Sequence, residues 1–138
     1  MSNSGEREQI EVPVSGVVYG DIIYWGTLAG SVIAIVGSVV TFVTEADYIL
    51  PGYLLSAIWE GKTVDEIWAV VGGIPDGHWY LSEIATGNGL TMFGIALGVF
   101  SVIPALLAAG VLLLREKRYL YGWLAVIAAL ITVAAMAP

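Results

Sequence analysis

Residues 22–44, IIYWGTLAGSVIAIVGSVVTFVT, form an uncharged, apolar run between two acidic residues. An α-helix rises about 1.5 Å per residue, so this run is long enough to cross the roughly 30 Å hydrocarbon core of a bilayer. Aromatic residues, which are enriched at membrane interfaces, mark its beginning at Tyr19, Tyr24 and Trp25. The run predicts a first transmembrane helix at residues 19–44, preceded by an N-terminal tail at residues 1–18.

Two more apolar runs follow a long loop. They occupy residues 90–114 and 120–136. We expect a second transmembrane helix at residues 89–114 and a third at residues 120–138. The loop at residues 45–88 connects the first helix to the second.

Basic residues indicate the orientation of these helices. The turn at residues 115–119 holds three of the five Lys and Arg residues, namely Arg115, Lys117 and Arg118. Short loops rich in Lys and Arg stay on the cytoplasmic side of a membrane. The turn and the N-terminus are therefore predicted to be cytoplasmic, and the loop and the C-terminus to lie outside, in a multi-pass protein of the plasma membrane.

Composition excludes several classes of protein. Of the 138 residues, 58% are hydrophobic and 12% are charged, whereas a soluble domain carries about 25% charged residues. The predicted fold class is an all-α integral membrane protein with three transmembrane helices and a long outer loop of short interfacial helices. A net charge of −7 with five Lys and Arg excludes a nucleic-acid binder. The absence of cysteine excludes thiol catalysis and iron–sulfur ligation.

Small residues recur on one face of each of the first two predicted helices. The predicted packing positions are Gly26, Gly30, Ala34, Gly94 and Gly98. Small residues let helix backbones approach closely, which drives association in lipid. Two interpretations stay open: the two faces pack against each other, or one of them docks a partner helix. Pro104 also predicts a kink in the second helix, because proline crowds the carbonyl group four residues earlier.

The loop contains signals for short helices that lie flat on the outer membrane surface. The segment from Pro51 to Gly61 carries apolar residues on one side. Thr63 followed by Glu66 fits a capping box at the start of a second short helix. Gly72 and Gly73 then supply a stop.

The only histidine lies in GGIPDGHWYL, residues 72–81. A neutral imidazole or a tyrosine hydroxyl can bond a quinone carbonyl, so His78, Trp79 and Tyr80 are candidate quinone-binding residues. The alternative is a histidine at a wet interface, bonded to backbone or water. Haem shared across a symmetric dimer, or a metal completed by a partner, needs ligands that this chain lacks. We therefore predict no metal, no bound cofactor and no catalytic residue in the chain alone.

The second half of the chain resembles a family of small bacterial and archaeal membrane proteins of unknown function (DUF1634). The resemblance rests on GLTMFGIALGVFSVIP, residues 89–104, and on REKRYLYGW, residues 115–123. It departs from the family pattern after Pro104, where residues 105–110 lack an expected arginine. The resemblance implies three spans and no established activity. Because members often occur beside sulfite-exporter-type permeases, it also implies a role as a permease accessory.

Three functions are compatible with these features. The favoured one is a non-catalytic small subunit or accessory protein of a larger integral-membrane complex, such as a permease. The second is the small subunit of a membrane redox complex, contributing to a quinone site. The third is a homo-oligomeric channel or carrier, which ranks last because no ionisable residue lies well inside any predicted span.

Overall fold

A computed structural model describes residues 11–44 and 47–136, and every regular element in these two ranges is helical. The predicted all-helical fold is therefore confirmed for this part of the chain. The six α-helices are α1 (Val14–Val43), α2 (Pro51–Trp59), α3 (Val64–Trp68), α4 (Gly87–Phe100), α5 (Val102–Arg115) and α6 (Tyr119–Ala135). Two short 3-10 turns lie at Ala69–Val71 and Trp79–Leu81.

Two helical segments are long and apolar enough to cross a membrane, judged by length and composition. They are α1, with 30 residues, and the combined α4–α5 segment, with 29 residues. The third apolar helix, α6, has 17 residues and is too short for the same criterion. Helix α1 begins after Pro13, earlier than the predicted span, because proline suits the position just before a helix. Residues 1–10 of the predicted tail lie outside the described residues.

The α4–α5 segment is interrupted at Ser101, one turn before Pro104. Proline has no N–H to donate to the carbonyl of Phe100, so the regular hydrogen-bond ladder fails at this point. The Ser101 hydroxyl donates a 2.6 Å hydrogen bond to the carbonyl of Gly98 and thereby satisfies a backbone acceptor beside the interruption.

Helices α1 and α4 run antiparallel and touch through their glycines. A Cβ atom added at Gly30 would lie 2.5 Å from the carbonyl oxygen of Gly94 and 2.8 Å from the amide nitrogen of Gly98. A Cβ added at Gly94 would lie 2.5 Å from the amide nitrogen of Ala34. Further along, a Cβ at Gly37 would clash with the backbone of Thr91. The two backbones are therefore close enough to exclude side chains between Gly30 and Gly37 of α1.

Two further parts of the chain pack on the α4–α5 segment. Helix α6 packs on α5, where a Cβ added at Gly122 would lie 2.7 Å from the side chain of Leu114. The 3-10 turn Trp79–Leu81, in the loop, packs on α4 instead. Met136, just after α6, lies where these two parts meet, since it lines a cavity together with His78.

The loop has a small core of its own and is tied to the start of α4. Ile49, Ala57 and Ile67 are buried together. The side-chain amide of Asn88 donates a 2.9 Å hydrogen bond to the carbonyl of Ile49, and its backbone N–H donates a 2.9 Å bond to a carboxylate oxygen of Asp47. These bonds fix the beginning of the loop against the first turn of α4.

The predicted helix signals in the loop are present. The Thr63 hydroxyl accepts from the backbone N–H of Glu66, and the Glu66 carboxylate accepts from the Thr63 backbone N–H at 2.8 Å, which completes the capping box of α3. Gly72 ends the following 3-10 turn at a φ of 96°, a left-handed conformation that favours glycine.

We expect Gly30→Ala to destabilise the protein by about 1–3 kcal/mol, because its methyl group has to displace the backbone of α4. Gly20→Ala is the matched control in the same helix, since a Cβ there meets nothing within 4 Å. The control is expected to leave stability unchanged or to raise it by up to about 1 kcal/mol through helix propensity. Thermal unfolding of both purified variants measures the difference, and equal melting temperatures would contradict the close glycine contact.

The capping box makes the start of α3 sensitive to acid. Hydrogen bonds from the backbone and then the hydroxyl of Thr63 lower the pKa of the Glu66 carboxyl below its usual value. A lowered folded-state pKa gives stability that is present above the unfolded-state pKa and is lost as the pH falls through the folded-state pKa.

We therefore expect amide hydrogen exchange in α3 to quicken below about pH 4, relative to the intrinsic rate at the same pH. Glu66→Gln keeps the acceptor but does not titrate, so its normalised exchange should show no such change. Thr63→Ala should weaken the helix start by about 1 kcal/mol at every pH. An unchanged acid response in Glu66→Gln would show that another group causes it.

Candidate functional site

The structure separates the three candidate quinone residues into two groups. His78 and Tyr80 line one cavity, of about 460 Å³, whereas Trp79 lines another, of about 260 Å³. A 3-10 helix turns by about 120° per residue, so consecutive side chains in this segment point in different directions. The predicted set of three therefore does not form one site.

The polar end of the larger cavity is a hydrogen-bonded pair. The Nδ1 atom of His78 lies 3.1 Å from the hydroxyl oxygen of Tyr80, and the two rings meet edge to face with centroids 5.8 Å apart. Tyr80 is 8% exposed, while the His78 ring lies at the surface. Gly77, with a φ of 55°, provides the turn that leads into this pair.

The rest of the cavity wall is apolar. The Phe100 ring lies edge-on to His78 with centroids 6.5 Å apart, at the end of α4. Other α4 residues and the last residues of the described chain complete the wall, namely Met92, Ile95, Ala96, Val99, Ala135 and Met136. The site therefore combines one imidazole–phenol pair with a wall from two helices that are distant in sequence.

Trp79 has a different role in the structure. Its ring stacks on Tyr48 with centroids 4.7 Å apart and an interplanar angle of 30°. The smaller cavity beside it is also lined by Leu54, Trp68 and Asn88. Trp79 thus packs the loop against α4 and does not face the cavity of His78 and Tyr80.

Four of the five predicted packing positions lie together in the structure: Gly30 faces Gly94 and Gly98, and Ala34 lies against Gly94. The fifth, Gly26, lies against Ser101. Gly37 and Gly87 also take part in the contact and were not predicted. The signal for Gly37 was present, because it lies two helical turns after Gly30 and therefore on the same face.

The predicted topology residues lie at the turn between α5 and α6, and all three are exposed. Lys117 has a φ of 62°, which reverses the chain direction over a very short connection. The Nε atom of Arg118 lies 4.0 Å from a carboxylate oxygen of Glu116. Charges of both signs are thus concentrated at this end of the molecule.

Among residues 11–44 and 47–136, no group of three or more His, Cys, Asp or Glu side chains is arranged to hold a metal ion. Two short hydrogen-bonding side chains and an apolar wall can bind and orient a small molecule.

Taken together, these features define a class: an all-helical protein with two helices able to cross a membrane by length and composition, and a mixed polar and apolar cavity beside one of them. The chain belongs to a protein family of unknown function whose model matches residues 15–138. A relative in Archaeoglobus fulgidus, described as an uncharacterized protein, is 33% identical over 129 residues, which cover 87% of this chain and 84% of the relative. No solved structure matches the chain.

Proposed function

We propose that the chain is a non-catalytic small subunit or accessory protein of a larger integral-membrane complex. The observation that supports this role is the contrast between two exposed surfaces. The side of α1 that points away from α4 is apolar, whereas the loop that follows α1 carries exposed charged residues. A chain surrounded by lipid alone or by water alone satisfies only one of these faces.

The apolar face is extensive. On the side of α1 that points away from α4, large aliphatic and aromatic side chains are exposed by half or more: Val32, Ile35, Val39, Phe42 and Val43. The contact between Gly37 and Thr91 places these residues level with the first half of α4. Exposing so much contiguous apolar surface to water is unfavourable and marks a contact with lipid or protein.

The loop requires water or polar protein. Asp65, Glu66 and Lys62 are exposed in it. Lys62 lies 3.0 Å from a carboxylate oxygen of Glu60, and this contact raises the pKa of the lysine, so it stays charged. The segment between α3 and α4 also has an irregular backbone, which lipid does not tolerate unless protein covers it.

The lengths of the helices also bear on the proposal. The uncharged part of α1, residues 22–43, is about 33 Å long, whereas the 17 residues of α6 extend about 25 Å. In a bilayer matched to α6, helix α1 has to tilt strongly or another protein has to cover its excess length.

In the proposed arrangement α6 is the third span, in a plasma membrane, and the basic turn at 115–119 and the N-terminus are cytoplasmic. The positive-inside rule supports this orientation. The resemblance to the DUF1634 proteins supports a permease as the larger partner. The outer half of α1 is the surface that contacts it.

Affinity purification in mild detergent tests the accessory role. We expect a stoichiometric membrane partner with the wild type, and at least tenfold less of it with Val39→Trp, because a bulky ring blocks the contact but keeps the helix apolar. Leu130→Trp is the control, since Leu130 is 60% exposed, close to the 56% of Val39, but lies on α6.

A chain that purifies alone as a monomer would contradict this proposal, as would equal partner recovery with Val39→Trp and the wild type. Solute transport by the pure, reconstituted chain would instead favour the homo-oligomeric channel or carrier.

A second candidate function is the small subunit of a membrane redox complex. The specific observation in its favour is the hydrogen-bonded pair of His78 and Tyr80 at the wall of an apolar cavity. Co-purification of cytochrome or iron–sulfur subunits, with a visible absorption spectrum, would support it. Unchanged quinol oxidation by a complex that carries His78→Ala would contradict a role for this site in that activity.

A further inference from the structure

We propose that the cavity between the loop and the end of α6 binds a quinone-class molecule, whose ring carbonyl accepts a hydrogen bond from Nε2 of His78. The proposal rests on the second candidate function and deepens it by assigning the cavity and the donor atom. It concerns binding only, so it stands or falls separately from any redox activity of a complex.

The hydrogen bond between Tyr80 and His78 determines which ring nitrogen of the histidine carries the proton. Tyr80 is buried, and within the described part of the chain its hydroxyl is hydrogen-bonded to Nδ1 of His78. Buried polar hydrogens are nearly always bonded. If the Tyr80 hydroxyl donates to Nδ1, the hydroxyl proton has an acceptor. If Nδ1–H donates to the hydroxyl oxygen instead, the hydroxyl proton has no acceptor within this pair. The hydroxyl therefore donates, and the imidazole proton lies on Nε2.

The Nε2 atom of His78 determines the kind of group that the cavity can bind. In this tautomer the atom is a donor, so it recognises an acceptor such as a carbonyl oxygen. His78 is exposed and lines the cavity, so its ring is accessible to a molecule that enters from outside the chain. A simple lipid tail offers no acceptor and would leave this donor unused.

The size and shape of the cavity suit a small planar molecule. A volume of about 460 Å³ lies within the usual range for small-molecule sites, about 300–1,000 Å³. The Phe100 ring provides a flat apolar surface close to the histidine, which suits a planar ring. Met136 adds a flexible wall that can adjust to a substituted ring.

The apolar part of the cavity suits the tail of the ligand. The cavity wall continues along α4 through Met92 and Ile95, away from the polar pair. An amphipathic ligand with a carbonyl-bearing ring and an apolar tail therefore matches the distribution of polar and apolar atoms. A free metal ion does not, because one imidazole and one phenol are too few ligands.

The proposal is tested by titrating the purified full-length chain, in mild detergent, with a short-tail benzoquinone and following binding by isothermal calorimetry. Saturable binding is expected for the wild type. His78→Ala should raise Kd about tenfold, the effect of losing one hydrogen bond worth about 1.4 kcal/mol. Tyr80→Phe should raise it by a smaller factor, because the tautomer is then no longer fixed.

Two variants control for indirect effects. His78→Gln retains an N–H donor and should recover part of the affinity that His78→Ala loses. Trp79→Phe faces the other cavity and should bind as the wild type does. The melting temperature of each variant is measured first. Only variants that melt near the wild-type temperature are compared, so that a folding defect is not counted as a loss of binding.

Linear, non-saturable uptake would overturn the proposal, because it describes partition into detergent. Equal Kd values for the wild type and His78→Ala would overturn it as well. Equal binding of an alkane with the same tail would show a lipid groove without ring recognition.

If quinone binds but a purified complex has no quinol-oxidising activity, the redox function fails and the binding site stands. If no quinone binds while a permease co-purifies, the binding site fails and the accessory role stands.

Discussion

The close contact of α1 with α4 is the constraint on which the rest of the structure depends. Gly30, Gly94 and Gly98 bring the two backbones together with no side chain between them. This contact fixes the axial register of the two long segments. The loop is attached to α4 and α6 is attached to α5, so the position of both relative to α1 follows from the same register.

That register explains why the two sides of the molecule differ. The loop packs on α4 and α6 packs on α5. Where the two parts meet, they form the cavity of His78, Tyr80 and Met136. The part of α1 that follows Gly30 presents an apolar face away from α4. The cavity and the proposed partner surface are thus separate consequences of one packing arrangement.

Local signals predicted local structure well. The capping box of Thr63 and Glu66 was predictable because both partners lie within one turn of helix and need no tertiary contact. The glycine positions were predictable as a face, since helical periodicity alone brings Gly26 and Gly30 to one side. The sequence alone left open whether that face packs inside the chain, because small residues suit either neighbour.

Features that depend on tertiary register were not predictable in the same way. Proximity in sequence suggested that His78, Trp79 and Tyr80 form one site, but a tight turn sends Trp79 toward Tyr48. The approach of Phe100 to His78 follows from the path of the loop along α4, which no local pattern encodes. The interruption at Ser101 instead of at Pro104 has a local cause, because proline affects the backbone of the preceding turn.

The central inference is that the outer face of α1 contacts lipid or protein while the charged loop faces water. The chain has no cysteine, so single-cysteine variants report their own positions without background. The most direct measurement is the labelling rate of Val39→Cys and Lys62→Cys by a membrane-impermeant maleimide in native membranes. The account predicts rapid labelling of residue 62 and protection of residue 39. Equal rates at the two positions would contradict it.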